Sequence, residues 1–188
     1  MANILEEWRY LKISIDQLEK RFQITEPPLP TPRMCKLLIV GEDRRFGKHP
    51  GVDPIALCRA VRTTYLRGTR EGGSTIAMQL VRVLTNRYER TFSRKIREIL
   101  LAVCVTRYVP KERIPILYLS SAYYGWRMND FREACARLKL NPMTTDERED
   151  AELVARLKYP QPKEFNSKRM KEINQRGQHL IQLLNKEN

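Results

Sequence analysis

The sequence predicts a mainly α-helical fold, one domain with a helical appendage at each end. Apolar residues recur at steps of three and four near the N-terminus. The same helical periodicity returns after Pro54 and persists towards the C-terminus. The length, 188 residues with 41% apolar side chains, suits a single core. These patterns divide the chain into an N-terminal helix and Pro-rich connector over 1–33, a main domain over 34–160 and a basic helical tail over 161–188.

Each element has a local reason. Leu5, Trp8, Leu11, Ile15, Leu18 and Phe22 mark an amphipathic helix over 4–22. Pro27, Pro28, Pro30 and Pro32 then enforce an extended connector, because each proline fixes φ and disfavours helix before it. Residues 34–40 form a short buried run of strand or helix type. Residues 41–53 are polar and Gly/Pro-punctuated, which suits a loop or a helix end. Pro54 fits the first turn of a helix over 55–66. A basic flexible loop is expected over 67–73. Ser74 is a candidate cap for a helix over 74–86, and Ser93 for one ending near 108. A shorter helix is expected over 111–121, irregular chain over 125–129 and helix again over 130–138. Thr144 and Glu147 have the spacing of a capping box, opening a helix to about 157. A basic amphipathic helix over 167–185 closes the chain.

Charge and cysteine content bound the function. Thirty-five Lys and Arg face 22 Asp and Glu, a net +13. Such an excess points to a polyanion: nucleic acid, an anionic membrane surface or a phosphorylated substrate. The apolar fraction excludes a disordered basic tail. The longest apolar run is Ile99 to Val105, far short of the roughly 20 residues of a membrane span. The N-terminus carries Glu6 and Glu7 and lacks a signal-peptide core, so the chain reads as soluble. Cys35, Cys58, Cys104 and Cys135 form no CxxC pair; they read as reduced core thiols, with disulfides or a metal site as alternatives.

Several residues carry candidate chemistry. On the helix over 74–86, Thr75, Gln79, Arg82 and Asn86 fall on one polar stripe of an otherwise apolar segment. Burying such groups unpaired costs about 1–3 kcal/mol each, so the stripe lines a wet cleft or is a solvent face. Arg94 and Glu98 are four apart and share a helix face, as an ordinary ion pair or as part of an anion site. Between Arg59 and Arg97 lie ten Lys or Arg against two Glu, a cluster that attracts phosphate. Glu42 and Asp43 just precede it, as a base with a differently oriented neighbour or as two solvated loop acids. His49 reads as a structural hydrogen-bonder or a catalyst, and His179 as a surface residue.

Together these segments resemble the family-51 glycosyltransferases, the peptidoglycan glycosyltransferases found alone or as the N-terminal half of bifunctional penicillin-binding proteins. Glu42-Asp43-Arg44-Arg45-Phe46-Gly47-Lys48-His49-Pro50-Gly51-Val52-Asp53, followed by Arg59-Ala60, resembles the first family motif, E-D-x-x-F-x-x-H-x-G-x-D then R-A. Gly72 to Arg82 is similar to G-G-S-T-[IL]-T-Q-Q-L-[AV]-K, and Arg94-Lys95-Ile96-Arg97-Glu98 matches R-K-x-x-E. Tyr118-Leu119 with Tyr123-Tyr124-Gly125 is a weaker echo of a fourth motif. Order and spacing agree over about 38–160. The second motif's usual Thr and Gln are Ala77 and Met78 here, its Lys is Arg82, and the fourth motif's Asn is Ser120.

The resemblance implies a lysozyme-like helical glycosyltransferase domain that polymerises lipid II, a disaccharide-peptide on a polyprenyl pyrophosphate. It implies Glu42 as general base and Glu98 as a second catalytic carboxylate, orienting cations or assisting a metal-bound pyrophosphate. Arg82, Arg94 and Lys95 would meet the leaving pyrophosphate. Ser74, Thr75 and Gln79 would hold sugar or phosphate oxygens, and Asp43, Arg45, Phe46 and His49 would shape the base's loop or bind substrate. Mg2+ or Mn2+ at the pyrophosphate is an optional cofactor. The implied partners are lipid II, the growing glycan chain, an anionic membrane surface and a membrane-anchored protein. The implied location is the outer face of the inner membrane in a bacterial cell envelope, with the cytoplasm as alternative. Three other readings remain: a degenerate homologue that binds lipid II or glycan without polymerising it, a basic helical nucleic-acid-binding protein, and a hydrolase using Glu42 as acid.

Overall fold

Asn3 accepts the Leu5 N–H and Glu6 reaches back to the Asn3 N–H, a capping box that starts α1, Ile4–Thr25. A computed structural model describes residues 3–67 and 72–187, with Val61, Thr64 and Arg67 as backbone alone. The short buried run is resolved as helix: Thr31 caps α2, Pro32–Glu42, with Pro32 in its first turn. A 3-10 turn, Phe46–Lys48, leads to α3, Pro54–Arg67. The chain continues as α4, Ile76–Leu84; α5, Phe92–Tyr108; α6, Arg113–Ser121; α7, Phe131–Leu138; α8, Glu147–Lys158; and α9, Ser167–Asn185. Among the described residues there is no β-strand, so the fold is mainly α. None of these helices is long and apolar enough to cross a membrane.

Three cap assignments are corrected. Thr75, not Ser74, caps α4, because its hydroxyl accepts the Met78 N–H while donating to the Gly51 carbonyl. Thr91, not Ser93, caps α5 by accepting the Arg94 N–H. The capping box of α8 is Asp146 with Glu149, not Thr144 with Glu147, since only the former pair exchanges both bonds. Helix α4 ends at Leu84, and Asn86 takes a left-handed conformation (φ 50°) that removes it from the expected polar stripe. The four cysteines are free, but Cys58 is exposed rather than in the core. The basic loop expected over 67–73 lies, at 68–71, outside the described residues.

Packing gathers these helices around one cluster. Helix α4 is apolar over most of its girth and packs on α5 and α6, with Ile76, Met78 and Leu80 fully buried. Helices α8 and α9 lie along each other and both pack on α2. The terminal helices lend residues to the same core: Leu11 and Ile15 from α1, and Ile173, Leu180 and Leu184 from α9. Each such side chain contributes about 1.5–3 kcal/mol by leaving water. Gly125, at φ 142°, joins Met128 and Gln161 through isolated bridges. A Cβ there would sit 2.4 Å from the Gln161 carbonyl oxygen, so glycine is required for the loop to meet the segment after α8.

Candidate active site

A cavity of about 670 Å³ opens between the end of α2 and α4, with residues of α6, α8 and α9 also lining it. Glu42, the last residue of α2, points into it. Its Oε1 accepts a hydrogen bond from Arg176 Nη2 on α9 at 2.9 Å. Its Oε2 accepts one from Gln79 Nε2 on α4 at 3.3 Å. The same Arg176 nitrogen donates to the Gly41 carbonyl at 2.9 Å, which anchors the guanidinium against the end of α2. Tyr118 on α6 also lines the cavity. Burial above all, then the Glu42 charge, pushes its phenol well up, so Tyr118 remains a neutral donor.

Behind one wall lies a dense charge cluster. Glu98, buried on α5, faces three cations. Arg82 donates from Nε and Nη2 at 3.2 and 2.9 Å, Lys95 Nζ lies at 3.2 Å, and Arg94 pairs one turn away. Burial raises the Glu98 carboxyl, but the Arg82 hydrogen bond and the charges of Lys95, Arg82 and Arg94 outweigh it, leaving it below the usual carboxylate range. Burial and the neighbouring guanidiniums outweigh Glu98 at Lys95 and hold that ammonium below its usual range. Lys95 also donates to Ser74 Oγ at 2.8 Å, and Arg82 Nη2 reaches the same oxygen at 3.4 Å. Ser74, left free by the Thr75 cap, thus links the cations to the cavity wall. One buried carboxylate against three cations leaves a surplus of positive charge that suits an anion.

The segment after Glu42 has a different job. Asp43 is buried; its Oδ1 lies 2.8 Å from His49 Nε2 and its Oδ2 accepts the Ile76 N–H at 3.1 Å. It therefore joins the end of α2 to the start of α4. Arg45 pairs with the buried Asp53 at 3.0 Å, and Asp53 also caps the start of α3 by accepting from Ile55 and Ala56. Burial raises the Asp53 carboxyl, but those amide bonds and Arg45 bring it below its usual range. Phe46 is buried under Lys111, whose Nζ donates to the His49 carbonyl at 2.7 Å.

Of the residues singled out in the sequence, Glu42, Ser74, Gln79 and Arg82 line the cavity. Arg94, Lys95 and Glu98 stand behind it, joined through Arg82 and Ser74. Asp43, Arg45, Phe46, His49 and Thr75 hold the surrounding loop and do not line the cavity. Arg176 was not foreseen. It lies 134 residues from Glu42 on a helix whose basic residues read as a uniform tail, so no local pattern pairs the two. Lys158, also on the cavity lining, carries no motif signal, whereas Tyr118 and Tyr123 on the same lining fall in the echo of the fourth motif.

The family model described as Transglycosylase matches residues 13–185. Penicillin-binding protein 1A of Escherichia coli K12 is 39% identical over 110 residues, 58% of this chain and 13% of that protein. Penicillin-binding protein 1A of Aquifex aeolicus is 39% identical over 109 residues, 57% of this chain and 15% of that protein. Penicillin-binding protein 1A of Pseudomonas aeruginosa is 45% identical over 93 residues, 48% of this chain and 11% of that protein. The match thus spans well under a fifth of the length of these relatives. With a family match running across nearly the whole length, the chain belongs to the transglycosylase family, glycosyltransferase family 51.

Proposed function

We propose that the chain is a peptidoglycan glycosyltransferase that polymerises lipid II by inverting displacement, with Glu42 as general base. The observation that carries this reading is the Glu42 carboxylate on the wall of a large cavity that it shares with Arg82, the front of a cation cluster. The acceptor sugar's 4-hydroxyl oxygen forms a bond to the anomeric carbon of the growing chain. The bond from that carbon to the lipid pyrophosphate breaks, and the hydroxyl proton passes to Glu42. General-base assistance of this kind contributes about 10²–10⁴-fold. Arg176 and Gln79 fix the carboxylate's direction. Negative charge develops on the departing pyrophosphate, and Arg82, Lys95 and Arg94 supply preorganised positive charge for it. Glu98 acts by holding those three cations in place.

The described residues do not make a protein-ligated metal site. Among the described residues no three His, Cys, Asp or Glu side chains lie together as ligands, and the Glu98 oxygens are taken by cations. Mg2+ or Mn2+ would instead be held by the pyrophosphate itself. The reading places the protein at a bacterial cell envelope, at an anionic membrane surface on the outer face of the inner membrane, beside a membrane-anchored partner.

The test is Glu42→Gln. Incubated with lipid II in detergent, the variant should make no polymer while keeping the parent's circular dichroism. Retained glycan synthesis would overturn the assignment. A second reading, a lipid II binder that does not polymerise, draws on the fact that both Glu42 oxygens already accept hydrogen bonds. It predicts lipid II binding without product in the parent protein.

A further inference from the structure

Outside the cavity, positive charge collects around one aromatic ring. Trp126 follows Gly125, and its N–H donates to the Gln161 carbonyl at 2.9 Å. Its half-buried ring has the Arg127 guanidinium 4.5 Å from the centroid, that of Arg137 at 4.7 Å and the Lys163 ammonium at 5.8 Å. All three cations are exposed. Among the described residues, none of them lies within ion-pair distance of a carboxylate. Arg33, Arg82, Arg94, Arg113 and Arg176 each have one. Arg127 reaches its position in a left-handed conformation, φ 55°, which side chains other than glycine seldom adopt. The ring attracts each cation, yet three like charges on one ring repel one another. An arriving anion relieves that repulsion.

The cluster also lies next to the cavity. Tyr123, Lys158 and Pro160 stand on the cavity rim. Trp126 is three residues beyond Tyr123, and its backbone partner Gln161 is the neighbour of Pro160. Lys158 extends the cationic surface, with its Nζ 5.7 Å from the Tyr159 ring.

We propose that the Trp126 cluster binds the carboxylates of the glycan strand where it leaves the cavity. This identification of the occupant rests on the polymerase reading above. Sugars of such a strand offer no matching charge, but each repeat carries a peptide, and a peptide ends in a carboxylate. A guanidinium meets a carboxylate as a two-pronged hydrogen-bonded pair. Because the peptides repeat along the strand, several weak contacts act together, and a strand held at the mouth rebinds instead of diffusing away.

Trp8→Phe leaves Trp126 as the chain's one tryptophan, a reporter inside the proposed site. The experiment titrates this protein with uncross-linked cell-wall glycan strands that keep their peptides, and with the same strands after carbodiimide coupling to excess ammonia has converted their carboxylates to neutral amides. Peptide-bearing strands should shift Trp126 emission to saturation. Affinity should fall about tenfold or more for the amidated strands, and equally in an Arg137→Gln/Lys163→Gln variant whose circular dichroism is unchanged. Equal binding of the amidated strands, or no loss in the variant, overturns the proposal. So does single-stranded DNA that binds as tightly as the peptide-bearing strand. Polymer synthesis is scored separately. A protein that makes no polymer yet passes the titration loses the catalytic reading and keeps the Trp126 site; one that polymerises but fails the titration loses only the site.

Discussion

Glu98 is the residue on which most charge converges, and its protonation sets a pH dependence. Its carboxyl titrates below the usual carboxylate range in the folded chain, because its bonds and charges outweigh its burial. A depressed folded value stabilises the fold above the unfolded pKa, and that stabilisation is lost as pH falls through the folded one. Stability measured by urea denaturation should therefore decline on acidification below the usual carboxylate range. Glu98→Gln should flatten that decline. It should also cost about 3 kcal/mol at neutral pH, because Arg82, Arg94 and Lys95 then face one another without their shared anion. An acid limb as steep in the variant as in the parent would remove Glu98 from this role.

The join between α2 and α9 is where element packing becomes site geometry. A Cβ on Gly41 would lie 2.3 Å from Leu180 Cδ2 and 3.2 Å from Arg176 Nη2. Leu180 is fully buried and has no free direction in which to yield. Gly41→Ala should push the two helices apart, at about 1–3 kcal/mol. It should also draw Arg176 away from Glu42, and a misplaced catalytic group can cost about 10²-fold in rate. Thermal unfolding and initial polymerisation rates would register both effects; an unchanged rate would separate Arg176 from the proposed base. This contact was not legible in the sequence. Helix periodicity locates α4, α5 and α8 because an apolar stripe must be buried, and the ordered motifs locate Glu42, Arg82 and Glu98. The identity of a cap was less legible, because Ser74 and Thr75 both have a suitable hydroxyl. Only the distant Gly51 carbonyl, reached through tertiary folding, selects Thr75. Arg176 depends likewise on which face of α9 meets α2, and the basic residues spread around that helix do not encode it.

At the scale of the whole molecule, the terminal helices tie the charge cluster to the core. Glu7 on α1 is buried and pairs with Arg97 at 2.8 Å and Arg87 at 3.0 Å, two cations beside the Glu98 group. Leu11 and Ile15 of the same helix are wholly inside the core, as are Ile173 and Leu180 of α9. Domains of this size have a net stability of only about 5–15 kcal/mol. Two core side chains at about 1.5–3 kcal/mol each are a large share of that, before the exposed partners they leave behind are counted. The chain truncated to begin at Thr31, and separately the chain ending at Pro160, should each melt at a markedly lower temperature than the full chain. A removable appendage would leave the melting transition almost unchanged. The two truncations should also differ in kind. Loss of α9 removes Arg176 from Glu42 directly, whereas loss of α1 acts through Arg87 and Arg97. At a temperature where both still fold, the C-terminal truncation should therefore show the larger drop in polymerisation rate. Equal rates in the two would mean that Arg176 serves packing alone.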